Sequence, residues 1–329
     1  MSHKNSSQIH SDWDRRNCPI CGSGAIASLP DSSARNQAEL MSWSEVKDFF
    51  IGLRNDQVFF SYYRCQQCEL LYCPWYFSKD QIALLYAAMP DNTMGEDKST
   101  VSRTQSAYAN WIMRSKNVSN RKYLEVGPDI GLVAHQIVKL AKPESISFIE
   151  PNHSTRPELL ESVAIVPGVE IVDFIEELTG RDFSLIVGVH VYDHLLDPVG
   201  DLKELRQRVN VGAHLSIVVH NESSLLRKLM GPKWPPFCLQ HPQLFNPTTQ
   251  KKLFEKSGWQ LLEVKRSTNW YHMKYFVSMV ASILGISTSI SKIFPNIEFP
   301  IRLGNTISCL LYTSPSPRDR TRSRMPSSA

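Results

Sequence analysis

Apolar and polar positions along the middle of this chain switch repeatedly between two periods. Lys122-Tyr-Leu-Glu-Val126 is a short apolar run that stops at Gly127-Pro-Asp129-Ile-Gly131, after which apolar residues recur at helical spacing. A second apolar run then ends at an acid, in Ser147-Phe-Ile-Glu150. Strand, glycine turn, helix and strand make a βαβ unit. Val169-Glu-Ile-Val172 predicts a further short strand closed by Asp173 and Phe174, and Asp182–His190 a longer one containing Gly188. Helical patterning over 199–209, a strand over 211–220, and a helix over 247–257 before Gly258-Trp259 follow. Such alternation implies an α/β fold: a Rossmann-like, mostly parallel sheet with helices on both faces. Upstream, helices are expected over 78–88 and 101–116, with a polar loop over 91–100 between them. Aromatics on them, Tyr86, Tyr108 and Trp111, are read as core rather than as a lid.

The turn after the first strand carries the chemistry. In open α/β sheets ligands bind at the carboxyl ends of the strands, and glycine lets backbone N–H groups come close to them. A helix starting near Gly131 aims its partly positive end at an anionic group. Glu150 is placed to accept hydrogen bonds from a ribose diol. A dinucleotide fold requires Gly-x-Gly-x-x-Gly, but here an acid, Asp129, stands at the second glycine and would repel a pyrophosphate. That spacing suits S-adenosylmethionine (SAM), which carries a sulfonium and an ammonium besides its carboxylate. The expected cofactor contacts are Glu125, Gly127, Asp129, Gly131 and Glu150, with Asp173 and Phe174 at the adenine and Gly188 on the neighbouring strand.

The stretch Leu-Glu-Val-Gly-Pro-Asp-Ile-Gly, followed by Phe-Ile-Glu-Pro-Asn, resembles the first two motifs of class I SAM-dependent methyltransferases. Val191-Tyr-Asp193-His194-Leu-Leu-Asp197-Pro198 is similar to the signature after that family's fourth strand. Val211-Gly-Ala-His-Leu matches its next strand, and Gln240-His241-Pro-Gln-Leu-Phe245-Asn-Pro with Gly258-Trp259 resembles a later block. The resemblance spans residues 121–268 and implies methyl transfer from SAM.

Five of seven cysteines fall before residue 74. Cys18-Pro-Ile-Cys21 and Cys65-Gln-Gln-Cys68 are two Cys-x-x-Cys knuckles, each setting two thiolates on one turn. Together they complete a tetrahedral four-cysteine zinc site, a zinc-ribbon-like module. Disulfides are disfavoured because no export signal is visible and the cytosol is reducing, so a cytoplasmic location is expected. Cys73 is read as a bystander and Cys238 as a core thiol. Cys-Pro-x-Cys-Gly-Ser and Tyr-Tyr-Arg-Cys-x-x-Cys-x-Leu-Leu-Tyr-x-Pro resemble the zinc-binding head of bacterial methyltransferases acting on sugars, glycans and small metabolites. That likeness implies a small-molecule, sugar or glycan acceptor and a metal that braces rather than reacts.

These readings divide the chain into a disordered start (1–17), a zinc-binding head (18–75), a helical linker (76–120), a SAM-dependent domain (121–310) and a tail (311–329). Beyond Cys309 every earlier pattern stops, and the residues resemble translated adapter sequence. Four arginines against one aspartate lie there, so most of the formal charge of +4 belongs to the tail. The remainder is nearly neutral, which argues against a nucleic-acid partner. An RNA methyltransferase with a zinc module and a non-catalytic SAM-fold binding protein stand as alternatives. The run Tyr275–Ile286 is shorter than the roughly 18 apolar residues of a membrane span and reads as a packed helix.

Methyl transfer to oxygen, nitrogen or carbon also moves a proton, so a base is needed. His194, just past the fourth strand, and His241 are the candidates. His190, Asp193 and His194 would face one ion on a helical turn, but His190 is expected to belong to the strand.

Overall fold

The computed structural model describes residues 9–50, 58–90, 98–114, 122–283, 285–302 and 306–312. Its centre is a seven-stranded sheet. In chain order its strands are β1 (Lys122–Val126), β2 (Ser145–Ile149), β3 (Val169–Val172), β4 (Phe183–Val189), β5 (Val209–His220), β6 (Gln260–Arg266) and β7 (Thr306–Tyr312). Their spatial order is β3-β2-β1-β4-β5-β7-β6. The first five are parallel, and β7 runs antiparallel between β5 and β6. The order reverses at β1 and β4, the switch point where such sheets open a crevice.

Helices cover both faces because both are apolar. Alternate residues of one strand point to opposite sides. Tyr123, Leu185 and Val187 pack with Ile137 and Val138 of α3 (Leu132–Ala141) and Leu159 of α4 (Arg156–Ser162). Leu124, Val126 and Ile186 pack with Leu202 and Leu205 of α5 (Pro198–Gln207) and Leu253 and Phe254 of α6 (Pro247–Ser257). The last two helices begin where their caps dictate. Asp197 accepts from the Gly200 N–H, and Asn246 from those of Thr248 and Thr249, each followed by proline at the first helical position. Gly258, in the left-handed region at φ +81°, ends α6.

Two further helices, α1 (Lys79–Ala87) and α2 (Lys98–Met113), precede the sheet. The segment between β6 and β7 forms a hairpin of Asn269–His272 with Glu298–Ile301 and a last helix, α7 (Met273–Ile283). This insert docks on α2: Tyr108 donates to Asn269, and Trp270 N–H to Thr104. No described helix is long and apolar enough to cross a membrane.

Two expectations are corrected. Residues 9–17 are packed, not disordered. The Trp13 ring meets Phe60 and Phe77 edge-on at 5.0 and 5.4 Å, and Asp14–Arg15 pairs with Trp75–Tyr76. A lone tryptophan among polar residues carries no periodic signal, and its partners lie far away in sequence. At the other end, β7 runs to Tyr312, past the boundary placed at residue 310, because the antiparallel slot between β5 and β6 pairs with its backbone on both sides. The rest of the expected tail, 313–329, and residues 1–8 of the expected start lie outside the described residues.

Gly131 tests the α3–α4 contact. Its φ is +81°, and a Cβ there would meet Ser162 Oγ at 2.3 Å and Leu159 Cδ1 at 2.7 Å. Gly131→Ala should lower unfolding stability by about 1–3 kcal/mol, measured by urea denaturation, from strain and overpacking together.

Candidate active site

The turn after β1 is shaped by backbone that only small or αL-tolerant residues adopt. Gly127 has φ +61°, and a Cβ on it would strike Val191 Cγ2 at 2.4 Å. Asp129 has φ +53°, a conformation aspartate tolerates better than most residues, so the turn survives an acid at this position. Glu150 holds the turn: its Oε2 accepts from the Asp129 N–H and its Oε1 from the Asn152 N–H. Each carboxylate oxygen keeps lone-pair capacity for a further donor. Burial raises the Glu150 carboxyl, and the two N–H bonds and Arg156 oppose that rise.

Glu125 lies beneath this turn, almost sealed from solvent, and accepts a 2.5 Å bond from the Tyr123 hydroxyl. Burial pushes its carboxyl up to about 8, against the Tyr123 bond and with help from Glu150. Gly188 stands beside Val126 across the β1–β4 pair and leaves room for the Tyr192 ring, which a Cβ would meet at 2.7 Å. At the end of β3, Asp173 is ion-paired with Arg156 and, at 3.0 Å, with His153. Desolvation works to raise Asp173, but its hydrogen bonds with Arg156 and His153 and the Arg156 charge outweigh that and lower it. Arg156 also donates to the Glu150 main-chain oxygen, so β2 and β3 are tied at the crevice. Phe174 is 53% exposed and gives the crevice rim a flat apolar face.

Across the switch point, four histidines converge at the carboxyl ends of β4 and β5. Ring centroids of His190 and His220 lie 4.6 Å apart, those of His194 and His241 4.6 Å, and those of His220 and His241 5.0 Å. His194 Nδ1 pairs with the Tyr86 hydroxyl at 2.8 Å. His241 Nδ1 lies 2.6 Å from the Pro236 carbonyl oxygen, so it carries the proton and leaves Nε2 as the acceptor nitrogen. Burial lowers His220 and His241 to about 4, His190 to about 3, and His194 well below the ordinary imidazole value. Asp193, fully buried, takes the N–H of His220 and lies 2.9 Å from His220 Nδ1.

Sequence patterning does not single out His220 or Tyr86 as site residues. Strand register holds the signal for His220: it ends β5 beside the end of β4, where adjacent parallel strands deliver their last residues to one edge. Tyr86, expected in the core, does pack edge-on against Phe50 at 5.3 Å, but its hydroxyl reaches His194.

The four knuckle cysteines come together as their spacing requires. Donor atoms of Cys18, Cys21, Cys65 and Cys68 all lie within 4.8 Å of one another, with Sγ pairs at 3.4 Å (Cys18–Cys68) and 3.5 Å (Cys21–Cys65). Sulfurs on one tetrahedral zinc, about 2.3 Å from each, sit about 3.8 Å apart, so this cluster fits such an ion. These separations are far too long for disulfides of about 2.05 Å. Cys73 is buried elsewhere, against the Phe60 carbonyl, and the Cys238 thiol, 3.3 Å from His241 Nδ1, is pushed up to about 12 by burial.

The head is continuous with the site. Leu71–Tyr72 pairs with Gln243–Leu244, the Cys73 N–H donates to the Pro242 carbonyl, and the Tyr62 and Tyr76 hydroxyls donate to the carbonyls of His241 and Leu239. Gln243 in turn donates to the Leu195 carbonyl, and Arg16 to that of Leu196. Both histidine-bearing loops are thus gripped from the cysteine-bearing side.

Sheet order and glycine turn give the Rossmann-like α/β fold of a methyltransferase domain. Residues 101–264 match the model of a methyltransferase-domain family. No curated protein matches the sequence significantly. Among solved structures, a chain from the complex between the Haloferax volcanii Trm112 methyltransferase activator and a methyltransferase aligns at 11% identity, covering 72% of this chain and 100% of that one, with a TM-score of 0.50. The N-methyltransferase NodS from Bradyrhizobium japonicum aligns at 13% identity over 71% of this chain and 97% of its own, TM-score 0.46. A Bacillus halodurans protein described as a methyltransferase aligns at 12% over 63% and 99%, TM-score 0.45. At such identities the likeness is one of fold alone.

Proposed function

We propose that the chain transfers a methyl group from SAM to a small-molecule, sugar or glycan acceptor, with His194 or His241 taking the acceptor proton. The observation that carries this reading is the pairing, across one sheet edge, of a glycine-hinged turn held by Glu150 with a cluster of four buried or half-buried imidazoles. SAM, when bound, supplies an activated methyl on a sulfonium. The backbone at Gly127, Asp129 and Gly131 would hold its amino-acid end, Glu150 its ribose hydroxyls, and Asp173 with the Phe174 ring its adenine. What remains for the protein is alignment, which can lower a barrier by about 7–11 kcal/mol, and proton removal, which adds about 10²–10⁴-fold.

His194 is the better placed base. Its Tyr86 bond fixes the ring, while it stands three residues after Val191, the side chain that contacts the glycine turn. His241 offers a free Nε2 on the opposite loop and fills the same role for an acceptor lying deeper. Zinc in the four-cysteine cluster would brace the short strands that grip both loops.

Three outcomes test these assignments. Glu150→Ala should weaken SAM binding at least tenfold by calorimetry; unchanged affinity would remove Glu150 from the ribose. His194→Ala should cut turnover by about 10²-fold or more while SAM affinity stays near wild type, and an equal fall in both would make it structural. Elemental analysis should find about one zinc per chain that Cys68→Ser releases; iron or no metal at the cluster would refute the brace.

A further inference from the structure

We propose that His190, Asp193 and His220 form a second metal site, for a divalent first-row cation held by two imidazoles and one carboxylate. The sequence suggested a set with His194 in place of His220, conditional on His190 leaving its strand. It does leave: β4 ends at Val189, and His190 turns into the left-handed region at φ +54°. A non-glycine residue there is strained, and such strain persists where the surroundings demand it. His194 meanwhile turns away to Tyr86, and His220 arrives from the end of β5.

One donor atom from each of the three residues lies within 4.8 Å of the others. Donors on a single ion at about 2.1 Å stand roughly 3.0–4.2 Å apart, so closing the triad takes little movement. Two independent features point to a missing ligand. Asp193 is completely buried, yet its Oδ1 has no hydrogen-bond partner among the described residues, and the buried His190 Nδ1 also has none. Interior polar atoms nearly always have partners, and one ion at this cluster would give both atoms theirs. Nor does any described lysine or arginine pair with Asp193, whose neighbours are a backbone N–H and an imidazole. A cation would supply the missing charge.

Nitrogen and oxygen donors without sulfur suit Mn²⁺, Fe²⁺, Co²⁺ or Zn²⁺, whereas the four thiolates of the head favour zinc. Three protein ligands leave coordination positions for a further donor. An acceptor oxygen bound there would lose its proton more easily, which selects acceptors with a hydroxyl able to chelate. This role rests on the methyl-transfer reading; the ion site itself does not, since metal binding is read without SAM or turnover.

The test uses the full chain, with retained metal measured by mass spectrometry and Mn²⁺ uptake by electron paramagnetic resonance. Retained metal plus manganese should be about one ion per chain higher in wild type and His194→Gln than in His190→Gln or His220→Gln, with the head zinc kept in all four. Equal totals in wild type and the His190 and His220 variants would overturn the site, as would loss confined to His194→Gln. Should the variants fold poorly, spin-echo spectra of Mn²⁺ on wild type decide: coupling to imidazole nitrogen supports the site, and its absence from bound manganese refutes it.

Discussion

A single interaction organises the crevice: the bond from the Asp129 N–H to the Glu150 carboxylate. It ties the glycine turn after β1 to the tip of β2. The turn would otherwise be a strained loop with three consecutive odd positions in the left-handed region. Glu150 can do this because the adjacent strands put their carboxyl ends side by side, with Val126 opposite Ile149. Each oxygen of that carboxylate keeps a lone pair beyond the N–H it accepts, so the group that shapes the turn can take a further donor. Charged neighbours are few and balanced. Burial raises the Glu125 carboxyl before the turn, and Asp173 is tied up by Arg156 and His153.

The cysteine-bearing segment is best understood through the loops it grips. Residues 192–196 and 239–243 have little regular structure of their own, and loops of that kind wander unless anchored. Here the anchors are backbone carbonyls: those of Leu195, Leu196, Leu239, His241 and Pro242 all accept from Gln243, Arg16, Tyr76, Tyr62 and Cys73. Hydrogen bonds to carbonyls fix a loop's path without depending on its side chains, so the His194 and His241 rings are left to partners of their own, Tyr86 and the Pro236 carbonyl. The aromatic cluster around Trp13, Phe60, Phe77 and Trp234 buries the anchoring tyrosines and keeps water from competing.

Much of this was legible in the sequence because the signals were local. The strand–Gly127–Gly131–helix–Glu150 unit, the Asn246-Pro247 start and Gly258 stop of α6, and the two cysteine knuckles each lie within a few tens of residues and have one physical meaning. What was missed depended on distant partners. Trp13 finds its pocket among residues 41–77, His220 meets His190 and Asp193 only through strand register, and Tyr86 reaches His194 only after α1 folds back. The last residues of the final strand, β7, were obscured for another reason: the change in composition from Cys309 onward hid how far its backbone pairing runs.

The most direct test of the account is a crystal structure of the full chain with S-adenosylhomocysteine. The ribose hydroxyls should lie on Glu150, the amino-acid end on the backbone of Gly127 to Gly131, and the sulfur should face the histidine edge of β4. Electron density for the nucleoside elsewhere, or a crevice that excludes it while accepting a nicotinamide dinucleotide, would contradict the account.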